Sequence, residues 1–263
     1  MPQPVLTYDR VEVSYRGVAI VRDVSFAVRP GEILGIVGES GSGKSTLIKA
    51  AMGQLGTDGL VTQGDIWYGD KSIPNLSPQA LRALCGTDLA LVFQDCLAAL
   101  TPIRTVGDQI HEFMSAHRRI SRSECDQHAA ELFSQLGLEN PQQVLASYPF
   151  ELSGGMGQRV GIAIALMGEP HVLLADEPTS ALDVITQAQV IELFSHIRDL
   201  CDAAIVIVTH NMGVVRALAD NVLVLRDGMV VEYGSTHAVL THPAQAYTRQ
   251  LIEATPRLWG PEE

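Results

Sequence analysis

The sequence predicts a mixed α/β fold in which a parallel sheet is covered by helices, and three observations predict it. Short apolar runs, of a length typical of strands buried on both faces, recur along the chain. They are residues 33–37, 89–93, 172–175 and 204–208. Helical stretches such as residues 185–200 separate them, and a glycine-rich turn joins the first run to a helical segment, residues 44–55. Strands that alternate with helices at this spacing indicate a doubly wound sheet.

Both ends of the chain add further strand signals. Near the N-terminus, residues 11–15 and 24–28 alternate apolar and polar side chains, which predicts two more β-strands. Near the C-terminus, two apolar segments flank Asp227-Gly228, a dipeptide that favours a tight hairpin turn. We therefore expect an N-terminal β subdomain ahead of the core and a hairpin close to its end.

The middle of the chain has little strand signal and shows helical periodicity instead. Two apolar stripes carry it, Val106, Ile110, Phe113 and Met114 in the first and Ala129, Leu132, Phe133 and Leu136 in the second. Gly137 closes the second stripe. The stripes predict a helical subdomain, residues 95–167, inserted into an α/β core of residues 1–94 and 168–263. The whole chain, 1–263, is then one domain.

Composition and charge narrow the class of protein. Of the 263 residues, 46% are hydrophobic and 18% charged, which is typical of an ordered globular chain. Lys and Arg total 18 against 30 Asp and Glu, and the net charge of −12 argues against nucleic-acid binding, which needs a basic surface. No apolar stretch is long enough to span a bilayer, and we expect no signal peptide. The 4 cysteines are scattered without a C-x-x-C pair, which indicates reduced thiols in an intracellular protein.

The glycine-rich turn carries the strongest chemical signal. Residues 38–45, Gly-Glu-Ser-Gly-Ser-Gly-Lys-Ser, match the G-x-x-x-x-G-K-[ST] pattern of a phosphate-binding loop between a strand and a helix. Its backbone amides and the helix N-terminus would bind phosphate oxygens, Lys44 would reach the β- and γ-phosphates, and the Ser45 hydroxyl would coordinate Mg²⁺. The alternative is a glycine-rich turn with an incidental lysine. The predicted contacts to nucleotide are Gly38, Ser40, Gly41, Ser42, Gly43, Lys44, Ser45 and Thr46.

Two carboxylates follow the apolar run at residues 172–175. Asp176 is expected beside the phosphate loop, since the carboxyl ends of strands in an open α/β sheet line the ligand crevice. An aspartate there can hold Mg²⁺, and Glu177 could then act as the base that activates water. The alternative is that both acids only cap the turn into Pro178.

A second candidate anion site lies before a helical run in the insert. Ser153 fits an N-cap position, and Gly154 and Gly155 would let a ligand approach the helix N-terminus closely. One chain has no evident use for two γ-phosphate sites, so this one would serve the nucleotide of a partner subunit. The alternative is an ordinary glycine-rich N-cap.

In this combination, the residues resemble the ATPase subunit of an ATP-binding cassette (ABC) transporter. The resemblance rests on the phosphate loop, the Leu-Ser-Gly-Gly signature at residues 152–155, the Asp176-Glu177 strand end and Thr209-His210, and it covers nearly the whole chain. It implies a P-loop NTPase (RecA-like) core with an N-terminal antiparallel β subdomain and an inserted α-helical subdomain. It also implies hydrolysis of ATP with Mg²⁺.

The resemblance assigns further roles by matching position. Tyr15 would stack on adenine, and the alternative is an aromatic residue on a β-surface. Gln94 would sense Mg²⁺ and the γ-phosphate, Asp183 would lie in the loop that crosses a dimer interface, and His210 would contact the γ-phosphate. Ser153, Gly154 and Gly155 would complete the nucleotide site of the partner.

Within the family, the amino-acid sequence of residues 148–156 and 242–251 resembles that of ATPase subunits of oligopeptide and nickel importers. Cys96 and Thr101 depart from that branch, which usually has proline and asparagine there. The resemblance implies a second ABC ATPase subunit, identical or paralogous, two transmembrane permease subunits and an extracytoplasmic substrate-binding protein. The chain would then lie peripherally at the cytoplasmic face of the inner membrane. The alternatives are a soluble, non-transport ABC ATPase and a degenerate cassette that binds ATP without hydrolysing it.

Overall fold

The computed structural model describes residues 2–180 and 184–254. Its strands are β1 (Leu6–Tyr15), β2 (Val18–Val28), β3 (Ile33–Val37), β4 (Gly59–Tyr68), β5 (Lys71–Ser72), β6 (Leu89–Val92), β7 (Val172–Asp176), β8 (Ala204–Thr209), β9 (Asn221–Arg226) and β10 (Met229–Ser235). Its α-helices are α1 (Lys44–Ala51), α2 (Pro78–Leu84), α3 (Val106–His117), α4 (Arg122–Gln135), α5 (Pro141–Ala146), α6 (Gly154–Leu166), α7 (Val184–Leu200), α8 (Met212–Leu218), α9 (Thr236–Thr241) and α10 (Ala246–Ala254). Short 3-10 helices lie at Ile73–Asn75 and Pro149–Glu151.

A six-stranded sheet in the order β10-β9-β3-β8-β7-β6 forms the centre of the fold. β3 pairs in parallel with both β8 and β9, and every residue of β3 and β8 is buried. Since parallel strands end at one edge, the loops that follow β3, β6, β7 and β8 lie together. The predicted α/β fold is therefore confirmed, and its four apolar runs form these four strands.

A second, four-stranded antiparallel sheet in the order β2-β1-β4-β5 precedes the core in the chain. Helix α1 packs between the two sheets, since Leu47 and Ile48 share a hydrophobic cluster with Leu6 of β1 and Leu34 of β3. The expected N-terminal antiparallel subdomain is confirmed. Helix α1 is shorter than predicted and ends at Ala51. The chain turns there because Gly53 adopts a positive φ of 62°.

Helices α3 to α6 form the insert, and three of them begin at a side-chain cap. Thr105, Ser121 and Ser153 each accept a hydrogen bond from a backbone N–H in the first turn of α3, α4 and α6. The predicted stripes point inwards, with Met114 and Phe133 buried in a cluster that extends to side chains of the parallel sheet. The division of the chain at 94/95 and 167/168 stays a prediction.

The C-terminal hairpin is formed by β9 and β10, with Asp227 and Gly228 at positive φ in its turn. This geometry is the one that Asp-Gly favours, so the predicted hairpin is confirmed. Val222 and Val224 of β9 pack with Tyr247 of α10 in a small hydrophobic cluster, which brings the C-terminal helix against the core. In the described part of the chain, no helix is both long and apolar enough to cross a membrane.

Candidate active site

At the carboxyl edge of the parallel sheet lies a cleft of about 730 Å³. It brings together residues from the loops after β3, β6, β7 and β8, as the sheet topology requires. The predicted site residues that line it are Gly38, Ser40, Gly41, Gly43, Lys44, Ser45, Thr46, Gln94, Glu177 and His210. These predicted residues are up to 172 positions apart in the sequence, from Gly38 to His210, and the whole lining extends from Ile20 to Leu251.

The phosphate loop needs glycine for two different reasons. Gly41 and Gly43 adopt φ values of 83° and 101°, which side chains disfavour. Gly38 has no such φ, but a Cβ there would lie 2.1 Å from the carbonyl oxygen of Leu225. Helix α1 then begins without a side-chain cap and without an acid in its first turn. Its N-terminal amides and partial positive charge are thus left for a bound anion.

Lys44 is held at the floor of this loop by two backbone carbonyls. Its Nζ donates to the oxygens of Gly38 and Glu39, both at 2.8 Å, and the residue is only 5% exposed. An ammonium group has three donors, so one remains for a phosphate oxygen. Burial lowers the pKa of Lys44, and the carboxylates of Glu177 and Asp176 oppose that shift.

Ser45 and Asp176 lie side by side, as the sequence predicted for a magnesium site. The Ser45 hydroxyl donates to Oδ1 of Asp176 at 2.8 Å. Hydroxyl and carboxylate oxygens are the hard ligands that Mg²⁺ prefers, usually beside water and phosphate oxygens. This donor pair therefore fits Mg²⁺, with further ligands left to nucleotide and solvent.

Glu177 and His210 form a hydrogen-bonded pair at the mouth of the cleft. Nδ1 of His210 lies 2.6 Å from Oε2 of Glu177, and their side chains are 61% and 16% exposed. Glu177 adopts a φ of 52°, which is rare for a residue with a side chain, and its N–H donates to the oxygen of Val208 at 2.8 Å. Backbone strain of this kind is common at functional sites and is held by the surrounding structure.

The signature residues lie outside this cleft. The Ser153 hydroxyl caps α6 by accepting from the N–H of Met156 at 3.3 Å, and both Ser153 and Gly154 are exposed. Gly155 lies near Thr186, since a Cβ there would meet the side chain of Thr186 at 3.8 Å. A single subunit thus presents its signature to the surroundings, where a second subunit can reach it.

Two further predicted residues, Tyr15 and Ser42, do not line the cleft. The half-buried Tyr15 lies against Gly59, where an added Cβ would lie 2.8 Å from its ring, and it is Ile20 of the next strand that lines the cleft. Ser42 is buried behind the loop, and its hydroxyl has no hydrogen-bond partner within the described structure. Asp183 lies outside the described residues.

Sequence reasoning missed Ile20 and Leu251, which line the cleft, and two residues that hydrogen-bond to its loops. Tyr247 of α10 accepts a hydrogen bond from the N–H of Glu39, at 3.1 Å. Gln158 of α6 is buried and donates to the carbonyl oxygen of Pro178, just after Glu177, at 3.1 Å. Its place shortly after the signature was the available signal for Gln158. For Tyr247, the only signal was its position in residues 242–251, whose sequence resembles that of importer ATPases.

Comparison with known proteins decides the family. The sequence profile of the ABC transporter family matches residues 21–180. The chain belongs to the ABC transporter family. This ABC cassette is 40% identical to the dipeptide transport ATP-binding protein DppD of Bacillus subtilis, over 97% of this chain and 78% of DppD. It is also 40% identical to the metal-staphylopine import system ATP-binding protein CntD of Staphylococcus aureus, over 91% of this chain and 88% of CntD.

Other similar proteins are either longer than this chain or less similar to it in sequence. The peptidoglycan transport ATP-binding protein YejF of Agrobacterium fabrum is 40% identical over 97% of this cassette, which spans 48% of YejF. Among solved structures, cbiO1 of Clostridium perfringens, part of the ABC transporter complex cbiONQ, superposes with a TM-score of 0.78 at 26% identity, over 91% of each chain. The cassette MJ0796, in a dimeric post-hydrolysis state with ADP and Pi, gives a TM-score of 0.76 at 27% identity, over 88% of this chain and 98% of that one.

The family resemblance and the fold class predicted from the sequence are both confirmed. The chain is an ATPase of the ABC transporter family, and ATP is its nucleotide. The individual roles assigned to Lys44, Gln94, Asp176, Glu177 and His210 stay predictions, and the geometry above is what supports them.

Proposed function

We propose that this ABC cassette hydrolyses ATP to drive an importer, and that hydrolysis occurs in the cleft after β3. The observation that carries the proposal is the convergence of Lys44, Ser45 and the Glu177–His210 pair in one cavity, with Asp176 hydrogen-bonded to Ser45 at its wall. Each group matches one requirement of phosphoryl transfer, namely phosphate binding, metal ligation and proton removal from water.

The proposed chemistry follows from these contacts. The free donor of Lys44 and the amides of the phosphate loop bind the β- and γ-phosphates of ATP. Mg²⁺, held by Ser45 and Asp176, would neutralise charge on the phosphate oxygens. Water attacks the γ-phosphorus, the bond to the β-phosphate oxygen breaks, and the water proton passes to the carboxylate of Glu177. His210 contacts Oε2, which leaves Oε1 to take that proton.

A complete site needs a second cassette. The exposed Ser153 and Gly154, with the half-buried Gly155, would cover the ATP of a partner subunit, while the partner's signature covers the ATP bound here. ATP would bind the closed pair better than the open one and so favour closure, and hydrolysis would reverse it. The dimeric MJ0796 cassette supports this arrangement by likeness.

The relatives DppD and CntD favour peptides or metal-chelate compounds of the metallophore type as the cargo class, and the resemblance to importers adds nickel. Two permease subunits and an extracytoplasmic substrate-binding protein would complete the importer. The cassette would then attach to the cytoplasmic face of the inner membrane through the permeases. The loop after Gln94 would transmit closure to them, and its unusual Cys96 and Thr101 would adapt it to a particular permease.

The variant Glu177→Gln tests the proposal. It keeps the size of the side chain but removes the base, so we expect steady-state hydrolysis to fall by roughly 10²–10⁴-fold while ATP binding is retained. Phosphate release and titration with a fluorescent ATP analogue measure the two quantities. The matched control is Glu139→Gln, an exposed carboxylate in the insert, which should hydrolyse ATP normally. Unchanged hydrolysis by the Glu177 variant would contradict the role of this residue.

A further inference from the structure

The C-terminal helix α10 contacts the phosphate loop through one hydroxyl group. The Tyr247 oxygen accepts the N–H of Glu39 at 3.1 Å, although the two residues are 208 positions apart. Tyr247 is 6% exposed, and burial raises the pKa of its hydroxyl, so the group stays neutral. The β9–β10 hairpin and α10 both contact this side of the phosphate loop.

The peptide unit that Tyr247 contacts is the same one that orients Lys44. The N–H of Glu39 and the carbonyl of Gly38 belong to one planar peptide. The N–H donates to Tyr247, and the carbonyl accepts from Nζ of Lys44 at 2.8 Å. The carbonyl of Glu39 accepts from the same ammonium, also at 2.8 Å. The orientation of this peptide therefore sets where the Lys44 ammonium lies.

Neighbouring C-terminal residues hold Tyr247 and the loop in the same arrangement. The guanidinium of Arg226 lies 4.8 Å from the centre of the Tyr247 ring, a favourable cation–π distance. The N–H of Gly228 donates to the carbonyl oxygen of Ser42 at 3.1 Å. The end of β9, the hairpin turn and α10 thus form a continuous support behind residues 38–42.

We propose that Tyr247 is a positioning residue for ATP binding: its hydroxyl fixes the Gly38–Glu39 peptide, and that peptide places the Lys44 ammonium for the phosphates. The inference rests on the proposed function, because it requires ATP to occupy this loop. It assigns the C-terminal helix a part in nucleotide affinity in addition to its part in packing. Leu251 of the same helix lines the cleft, so α10 borders the nucleotide space directly.

The variant Tyr247→Phe tests the proposal because it removes the hydroxyl and keeps the ring on Arg226. A hydrogen bond of this kind is worth a factor of roughly two to ten, so we expect the Kd and KM for ATP to rise by that factor. The kcat should stay within about twofold, since the Glu177–His210 pair is untouched and the lost interaction is one of binding. The measurements are a fluorescent ATP analogue titration and steady-state hydrolysis of the full chain.

The matched control is Tyr68→Phe. Tyr68 is also a buried tyrosine, and its hydroxyl donates to Asp88 at 2.6 Å, near the opposite edge of the parallel sheet. This variant should lose stability in thermal unfolding without losing ATP affinity. Equal weakening of ATP binding by both variants, or unchanged binding by Tyr247→Phe, would overturn the inference.

A double-variant cycle tests the route through Lys44. If Tyr247 acts through that ammonium, Tyr247→Phe should weaken ATP binding much less in a Lys44→Ala background than in the wild type. An equal effect in both backgrounds would contradict the route. Failure of the wild type to bind ATP would instead contradict the proposed function, so the two outcomes are distinct.

Discussion

Gly38, the first residue of the phosphate loop, has no room for a side chain. At Gly38 an added Cβ would lie 2.1 Å from the carbonyl oxygen of Leu225 and 2.7 Å from the Ser42 hydroxyl. The first neighbour is backbone of β9 and cannot rotate away, so the loop itself would have to move. Because the Gly38 carbonyl also binds Lys44, such a movement would displace the ammonium from the phosphates.

We therefore expect Gly38→Ala to weaken ATP binding by more than tenfold and to lower the unfolding free energy by about 1–3 kcal/mol, the usual cost of overpacking. Analogue titration and chemical denaturation measure both. Gly69→Ala is the control. Gly69 has a positive φ of 55°, so alanine is strained there, but nothing lies within 4 Å of an added Cβ and no neighbour is displaced. It should keep full ATP affinity. Normal binding by the Gly38 variant would show that the loop tolerates the shift.

At this scale, the sequence could predict the groups that bear chemistry but not the contacts that hold them. Lys44, Asp176 and Glu177 follow from short motifs next to buried strands, since local spacing is enough to place them. The bond from Glu39 to Tyr247 depends on two loops that the tertiary fold brings together, and no local pattern encodes it. Tyr15 matched a family position, and only its packing on Gly59 shows how it lies.

Among the elements, α6 is the one that joins the signature to the cleft. A Cβ on Gly157 would lie 2.3 Å from Leu97, and one on Gly161 would lie 2.3 Å from Sγ of Cys96, so the helix packs closely on the loop after Gln94. On its buried face, Gln158 donates to the carbonyl oxygen of Pro178, the residue after Glu177. We therefore expect α6 to couple the position of the signature to two loops that border the cleft.

Gln158→Leu should separate this coupling from nucleotide binding. It leaves the Pro178 carbonyl buried without its donor, so we expect a loss of about 1–3 kcal/mol in stability, lower ATP turnover and retained ATP affinity. Denaturation, phosphate release and analogue titration give the three values. Gln127→Leu, at an exposed position on α4, is the control and should leave turnover unchanged. Turnover at the wild-type level in the Gln158 variant would mean that this bond is only structural.

The strands of the parallel sheet were predictable because burial on both faces makes them continuous apolar runs. β4 was not predicted, since residues 60–65 mix apolar and polar side chains without a regular alternation and are mostly exposed on an antiparallel sheet. The end of α1 was placed four residues too late, because its composition stays helical beyond Ala51 while Gly53 turns the chain. Patterns thus locate buried strands well and locate exposed strands and helix ends poorly.

The whole molecule is half of a working unit in the proposed function. Its cleft is lined by the phosphate loop and by Gln94, Glu177 and His210, while its own signature lies outside. Each subunit also carries a net charge of −12, so two copies repel each other at long range. Association therefore has to be driven by the bridging nucleotide against this repulsion.

We expect Glu177→Gln with ATP and Mg²⁺ to form a dimer that small-angle scattering or sedimentation detects. Adding salt up to about 0.15 M should favour the dimer, because screening shortens the Debye length to about 8 Å. The control is the same variant with Lys44→Ala added, which should stay monomeric. A monomer under all conditions would rule out pairing of identical copies and leave a paralogous partner.

The sheet order has a consequence for synthesis on the ribosome. β3, which leads into the phosphate loop, is flanked by β8 and β9, and the loop is supported by Gly228 and Tyr247. The first fifth of the polypeptide thus encodes a pocket whose walls are translated last. We therefore expect a chain that lacks the C-terminal hairpin and α10 to bind ATP weakly, because the support of its phosphate loop is missing.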